Sequence, residues 1–411
     1  MKVIHVNNQV QLGGAETVAQ QLRSGLKKAG HESPLYVSNG KYYPRDDDVI
    51  PFYPRILSRL SHTRLNSVVE KMFPRSVWTD RSFRRLAKVD ADIIHIHNFH
   101  GDYASIESLE IVSRSRPVVW TFHGFWGMTG GCDHPKTCNR YQDACGECPQ
   151  VGQWPIPILD NTAAQLRKKL AMLSSAPLNI VAPSHHLAEK VRNSKVGKTW
   201  NVFEIPNGVD PSRFHPERKR DAEFRRSLGL KIDLPIVLVV NRNFQDTQKG
   251  HAMVQEAISM NAGTDAQIVL AGGNSQWAAD QLPPRLNIID AGYVASREHM
   301  ARLFEAADIF LFASPAENFP CVILEAMSAG CCVVATPTSG VTEQIKTDKT
   351  GFLAESLSGE ALGIVFRDVL AHRELWKKTG DEARDFVEKE FSEKVMVDRH
   401  IVLYRQIMSN R

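Results

Sequence analysis

No apolar run in this 411-residue chain is long enough to cross a bilayer, so no membrane-spanning helix is expected. The opening, Met1-Lys-Val-Ile-His-Val-Asn7, is too short and too polar for a signal peptide, and is expected to be the first strand of a cytoplasmic enzyme. Strong charge of either sign is missing: the net charge is +4, which gives no reason to expect a nucleic-acid partner. Seven cysteines in a chain this long do not make a secreted disulfide scaffold. The G-x-G-x-x-G spacing is also missing after the first strand, where Gly13-Gly14-Ala15-Glu16 stands instead, so a nicotinamide cofactor is not expected. No Ser-His-Asp or Cys-His arrangement stands out, although one can be assembled in space. What is left is ordinary globular composition, 43% apolar and 23% charged. The length suits about two or three domains, each with its own core.

Short runs rich in Val and Ile recur, each followed by a loop and a helical pattern. In the first half they are Val3–Val6, Ile93–Ile96, Val118–Thr121 and Ile180–Ala182; in the second, Ile236–Val240, Ile268–Ala271, Ile309–Phe312 and Val333–Ala335. Continuous apolar runs, as opposed to alternating ones, indicate strands buried on both faces, hence parallel sheets flanked by helices. Two such series predict an α/β protein of two doubly wound, Rossmann-like domains, residues 1–207 and 208–391. Between Asn207 and Leu234 an Asn-Gly turn, prolines and a run of charges mark the hinge. The charged final helix, within 392–411, is expected to return to the first domain.

The polar groups with chemical potential share one topological position, the carboxyl ends of the apolar runs, where open α/β sheets bind ligands. Glu317 and Glu325 lie eight residues apart. The first is on a Pro-containing loop after Ile309–Phe312, and the second is in the helix that starts near Pro320. That pair suits a ligand carrying hydroxyls and a diphosphate, because helix N–H groups attract phosphate. Arg242 and Lys249-Gly250 flank another strand-end loop; Arg can grip a diphosphate bidentately and Lys acts as a point charge. Gly13 and Gly14 permit a sharp turn and close approach of a ligand, or form a plain strand-to-helix turn. His123, ending Trp120-Thr-Phe-His, can hydrogen-bond a sugar hydroxyl as a neutral imidazole. His95 and His97 face one side of a strand; structural hydrogen bonding is favoured over metal binding, since no third ligand is evident.

Taken together, Arg242 to Lys249-Gly250, Glu317-x7-Glu325-Ala-Met, Gly292-Tyr-Val and Ile205-Pro-Asn-Gly-Val-Asp210 resemble the family-four glycosyltransferases, nucleotide-sugar-dependent retaining enzymes. The resemblance covers essentially the whole chain. It implies a GT-B fold, two facing Rossmann-like domains with a cleft between them, the first for the acceptor and the second for the donor. It implies that Glu325 binds the donor ribose and Glu317 the transferred sugar. Arg242 and Lys249 would neutralise the leaving diphosphate, and His123 would sit beside the reacting sugar. Gly14, Asn318, Phe319 and Pro320 complete the donor site, with the base near Gly292 and Tyr293. Asn318 stands where glycine is commonest, which bears on the identity of the sugar. No catalytic metal is expected.

Cys132, Cys138, Cys145 and Cys148 follow C-x5-C-x6-C-x2-C within a Cys-rich insert, residues 125–160. The tight final pair suits a structural zinc ion; unligated thiols and disulfides remain open, the latter being the poorer fit to a cytosolic protein. The insert resembles one found in a subset of bacterial polysaccharide glycosyltransferases, which implies surface-polysaccharide assembly and a glycan acceptor, lipid-linked through a polyprenyl diphosphate. Cys321, Cys331 and Cys332 are expected in the core. Between Arg55 and Lys88, nine Lys/Arg against two Asp/Glu are interleaved with Leu60, Leu65, Val68, Val69, Met72, Phe73 and Trp78. That pattern suits either peripheral binding to an anionic membrane or a solvated cationic insert. Two other readings stay in view. A nucleotide-sugar epimerase shares this architecture, and a zinc-knuckle nucleic-acid-binding protein would use the Cys cluster and the basic stretch. The second leaves the strand-end motifs unexplained and lacks interleaved aromatics for base stacking.

Overall fold

The computed structural model describes residues 1–10, 13–37, 48–52, 75–100, 104–246 and 249–410. They divide into two compact units, Met1–Pro206 with Met396–Arg411, and Asn207–Val395. Each is an α/β unit built on one parallel sheet. The first unit contains β1 (Val3–Asn7), β2 (Leu35–Val37), β3 (Val49–Pro51), β4 (Ile93–His97), β5 (Val118–Thr121), β6 (Leu178–Ala182) and β7 (Asn201–Glu204), in the order β3-β2-β1-β4-β5-β6-β7. The second contains β8 (Ile236–Asn243), β9 (Gln267–Gly273), β10 (Asn287–Gly292), β11 (Ile309–Phe312), β12 (Cys332–Ala335) and β13 (Phe352–Leu353), in the order β10-β9-β8-β11-β12-β13.

All eight apolar runs are strands: β1, β4, β5, β6, β11 and β12 are buried along their full length, and β8 and β9 are buried except toward their carboxyl ends. The strands that sequence reasoning did not mark are β2, β3, β7, β10 and β13. They are short, or half-exposed at or near a sheet edge, so they lack the continuous apolar signature. In each sheet the winding direction reverses once, between β1 and β4 and between β8 and β11. Those two switch points are where the strand-end loops part to leave room for a ligand.

The last helix, Glu393–Ser409, belongs with the first unit from Met396 onward and buries Met396, Val397, His400, Ile401, Leu403 and Tyr404. Gly25 makes room for it: a Cβ there would lie 2.3 Å from Val397 Cγ2. Of the basic stretch, the helix Arg75–Leu86 is described, with side chains from Asp80 onward. Phe83 and Leu86 are buried in it, while Arg81, Arg84 and Arg85 are exposed. Leu60, Leu65, Val68, Val69, Met72, Phe73 and the Trp78 side chain lie outside the described residues. Among the described residues no helix is long and apolar enough to cross a membrane.

Candidate active site

The second switch point is built by two loops. After β11 and Ala313 the chain passes through Ser314-Pro-Ala-Glu317-Asn-Phe-Pro320 into the helix Cys321–Ser328, with Pro320 at its N-cap and no side chain capping it. Its first N–H groups are therefore not taken up by a cap. The loop is held by its carbonyls. Asn207 Nδ2 donates to Phe319 O at 3.0 Å, and Gln344 Nε2 donates to Pro320 O at 3.0 Å. Gly340 approaches so closely that a Cβ on it would stand 1.6 Å from Asn318 O. The Phe319 ring is buried edge-on against Phe391, with centroids 5.4 Å apart.

Glu317 meets a cation from the other loop: Lys249 Nζ lies 3.0 Å from Glu317 Oε1, which also accepts a hydrogen bond from Ser314 Oγ at 3.1 Å. Lys249 is fixed through its backbone, because Asn241 Nδ2 holds its carbonyl at 3.2 Å. Gly250 follows in the left-handed conformation, with φ +68°, and a Cβ there would stand 2.4 Å from Ala313 O. Glycine is required on both counts, and it forms the N-cap of the helix His251–Met260. Arg242 is exposed at the end of β8, and among the described residues nothing pairs with its guanidinium. The switch point thus gathers Lys249, Glu317 and two helix N-termini, with Arg242 at its margin.

Glu325 lies within two turns of the start of its helix, half-buried. Burial pushes its carboxyl up to about 7, with Arg297 and Arg213 pulling the other way. Cys321, expected in the core, instead opens this helix. Burial first, then the Glu325 and Glu317 carboxylates, push its thiol up to about 12. Gly292 ends β10 after a register shift, with φ +64°, and its N–H donates to Asp290 Oδ1 at 2.9 Å. Tyr293 is 65% exposed. Both stand apart from the Lys249–Glu317 pair, since β9 separates β10 from β8. Sequence reasoning missed Asn207 and Gln344, which brace the loop, and Arg213 and Arg297, which face Glu325. Asn207 was read within the hinge turn and within the Ile205–Asp210 motif of the family resemblance, with no role of its own; the others have no local signal.

In the first unit, Gly14 opens the helix Gly14–Lys28 with Gly13 as its N-cap. Asn98, at φ +45° just beyond β4, donates to Glu16 Oε1 at 2.8 Å. His123 follows β5 and joins a row of imidazoles. His97 Nδ1 lies 3.4 Å from His123 Nε2, and His97 Nε2 lies 3.2 Å from His5 Nδ1. His95 meets the Tyr404 hydroxyl at 2.6 Å and Thr121 Oγ1 at 2.7 Å, and the His400 ring packs beside it. Burial lowers all five pKa values: to about 3 for His5, to about 4 for His123 and His400, and well below the usual value for His95 and His97. His5, His95 and His97 bring ring nitrogens within 4.8 Å of one another, as a metal would require. Both His95 nitrogens are already engaged, however, and the charges that act on the three are other histidines and Arg23, with no carboxylate among them. The arrangement is a hydrogen-bonded network of neutral imidazoles, and among the described residues the charges acting on these three rings include no carboxylate to compensate a buried dication.

Comparison with known proteins agrees with this architecture. Residues 12–213 match the family described as Glycosyltransferase Family 4, and residues 220–386 the one described as Glycosyl transferases group 1. WcaC of Escherichia coli (strain K12), a glycosyl transferase assigned to colanic acid biosynthesis, is 23% identical over 84% of this chain and 85% of its own length. The N,N'-diacetylbacillosaminyl-diphospho-undecaprenol alpha-1,3-N-acetylgalactosaminyltransferase of Campylobacter jejuni is 25% identical over 49% of this chain and 54% of its own. The structure of Anabaena Alr3699/HepE in complex with UDP and glucose is 15% identical, covers 99% of this chain and 100% of that one, and gives a TM-score of 0.68. The two doubly wound units define a glycosyltransferase of the GT-B fold. The chain belongs to the family-four glycosyltransferases.

Proposed function

We propose that this glycosyltransferase moves a sugar, with retention of configuration, from a nucleotide-sugar donor to a lipid-linked glycan acceptor in bacterial surface-polysaccharide assembly. The observation that carries the donor assignment is the Lys249–Glu317 pair at the second switch point, beside two helix N-termini. Glu317 accepts hydrogen bonds from the sugar hydroxyls, and Glu325 accepts them from the ribose. Asn318, Phe319 and Pro320 shape the floor, and the base lies toward Gly292 and Tyr293. As the anomeric C–O bond breaks, charge grows on the departing diphosphate, where Lys249, Arg242 and the helix N–H groups stabilise it. The acceptor oxygen then attacks from the face the diphosphate leaves, giving its proton to a phosphate oxygen of the leaving group, with His123 beside the reacting sugar. A trapped covalent glycosyl-enzyme would refute that last step. The names of the relatives support the acceptor class, one being assigned to colanic acid and the other acting on a diphospho-undecaprenol substrate.

The test is nucleotide release from UDP-, GDP-, ADP- and CMP-sugars. One donor should be slowly hydrolysed, with the activity lost in Glu317→Ala and Glu325→Ala, and release should accelerate with acceptor. Turnover of a donor into another sugar nucleotide, with no acceptor present, would instead identify an epimerase. The donor's KM should depend on pH through Glu325. Ribose hydroxyls donate to the ionised carboxylate, so binding favours the charged form of a group that titrates at about 7 in the free protein. KM should therefore fall as pH rises through neutrality and level off above it, and Glu325→Gln should abolish the dependence. A flat profile in the native enzyme would remove Glu325 from the ribose.

The exposed Arg81, Arg84 and Arg85 on one helix support a peripheral contact with an anionic membrane, where a lipid-linked acceptor would be met. Binding to anionic vesicles at low salt is expected to weaken when the three are replaced by glutamine. Equal sedimentation of the variant would assign these arginines to a solvated face.

A further inference from the structure

Between β5 and the helix Thr162–Leu173 the chain runs from residue 122 to residue 161 with only two short 3-10 turns, Trp126–Met128 and Arg140–Gln142. An irregular segment of that length rarely holds one conformation without a cross-link. Yet this one is well packed: Phe125, Met128 and Tyr141 are buried in the core of the first unit. Hydrogen bonds fix its ends, from Gly146 N to Thr162 Oγ1 at 3.0 Å and from Cys148 N to Asp160 Oδ2 at 2.7 Å. Cys132, Cys138, Cys145 and Cys148 all line one cavity, together with Tyr141 and Thr162, and all four are free thiols. Between the last two, Cys145, Gly146 and Glu147 take successive left-handed conformations, with φ +50°, +93° and +44°. Two of those three are not glycine, and such backbone persists only where the surroundings enforce it.

A second observation comes from the facing helix. Lys169 is 1% exposed, an unusual place for an ammonium group. Its Nζ donates to Trp126 O and to Thr129 O and sits 3.5 Å above the Trp126 ring. Among the described residues no carboxylate pairs with it. Cys132 and Cys145 lie within electrostatic reach of it.

We infer that Cys132, Cys138, Cys145 and Cys148 bind a tetrahedral, thiophilic divalent metal ion of the zinc class, and that Lys169 offsets part of the resulting tetrathiolate's negative charge. The ion is structural, because four thiolates leave no position open for substrate. Binding releases the thiol protons to solvent and forms four metal–sulfur bonds, with no change of oxidation state. Among the described residues no three of the sulfurs lie within 4.8 Å of one another. A closed site with Zn–S bonds of about 2.3 Å needs S···S separations of roughly 3.8 Å.

The full-length protein, purified without chelator, should carry about one zinc per chain. Cys132, Cys138, Cys145 and Cys148 should resist a thiol reagent until a mercurial releases the metal, whereas Cys331 and Cys332 are buried in either state. Cobalt exchanged into the site should give the visible bands of a tetrahedral thiolate centre. Cys145→Ser with Cys148→Ser should abolish the metal. Lys169→Gln should load in excess zinc but release it about 10–100-fold more readily, as loss of a supporting shell does. Native protein that is metal-free and folded, with all four thiols reactive, would overturn the inference. So would four thiols that appear only on reduction, which would indicate disulfides, or zinc that survives the double substitution. Each readout is independent of sugar transfer, so failure of the donor assignment would leave this result standing.

Discussion

Replacing Lys249 with alanine is expected to lower kcat by about 10²–10³-fold, the usual loss when one preorganised group facing developing charge is removed. The chain of causes begins in the backbone. Gly250, at φ +68° and wedged against Ala313 O, brings the end of the β8 loop onto the β11 loop. Asn241 then holds the Lys249 carbonyl, and the ammonium lands 3.0 Å from Glu317. In the free protein that ion pair is partly exposed and adds little to stability. Its value is positional, because a held cation needs no reorganisation when the diphosphate gains charge. The loss should therefore fall mainly on kcat, with donor affinity reduced less, measured by single-turnover release and by calorimetry. Lys249→Arg should rescue only part of it, since a planar guanidinium does not occupy the place of a compact ammonium. Unchanged kcat in Lys249→Ala would remove this residue from the leaving-group site. An equal loss in donor affinity and kcat/KM, with kcat intact, would make it a uniform binding contact.

How much of this was legible in the sequence follows from what each feature depends on. Strands buried on both faces carry their own signature, so the eight central strands and the two-sheet α/β class can be read directly. Edge strands such as β7, which is half-buried at its centre and exposed at both ends, do not. The Glu317–Glu325 spacing and Lys249-Gly250 are local, and their position at strand ends follows from the strand assignment. Contacts that depend on tertiary packing left no local trace. Asn207 reaches Phe319 O across more than a hundred residues, and Arg213 and Arg297 converge on Glu325 from separate elements. His95 and His97 could be read as sharing a face. Their neighbours His5 and His400 come from a different strand and from the final helix, so the imidazole row is visible only once β1 pairs with β4 and that helix packs over them.

That row leads to the second large effect, a steep loss of stability in mild acid. His5, His95, His97, His123 and His400 are all neutral in the folded chain, with pKa values held below 6.5 by burial. Among the described residues the groups placed against them include the Tyr404 hydroxyl, Thr121 Oγ1, the Met396 carbonyl and the Arg23 cation, which do not stabilise a protonated imidazole as a carboxylate would. In the unfolded chain each histidine titrates near its ordinary value, about 6.5. Below that pH the unfolded state binds protons that the folded state refuses, so stability falls as pH falls. The window opens near 6.5 and closes only toward the folded values, about 4 for His123 and His400 and about 3 for His5. Each histidine contributes up to about 1.4 kcal/mol per pH unit, or roughly 2 kcal/mol by pH 5. All five act in the same direction, so the loss compounds across the row. Urea unfolding followed between about pH 7.5 and 5 should show the midpoint dropping steeply, and His400→Phe should flatten the slope by one proton's share. The charge-neutral replacement isolates titration from packing, because a purely steric defect would shift every midpoint equally and leave the slope alone. A midpoint that holds constant across that range in the native protein would mean the folded row accepts protons, and the network would then have to be read as ionised.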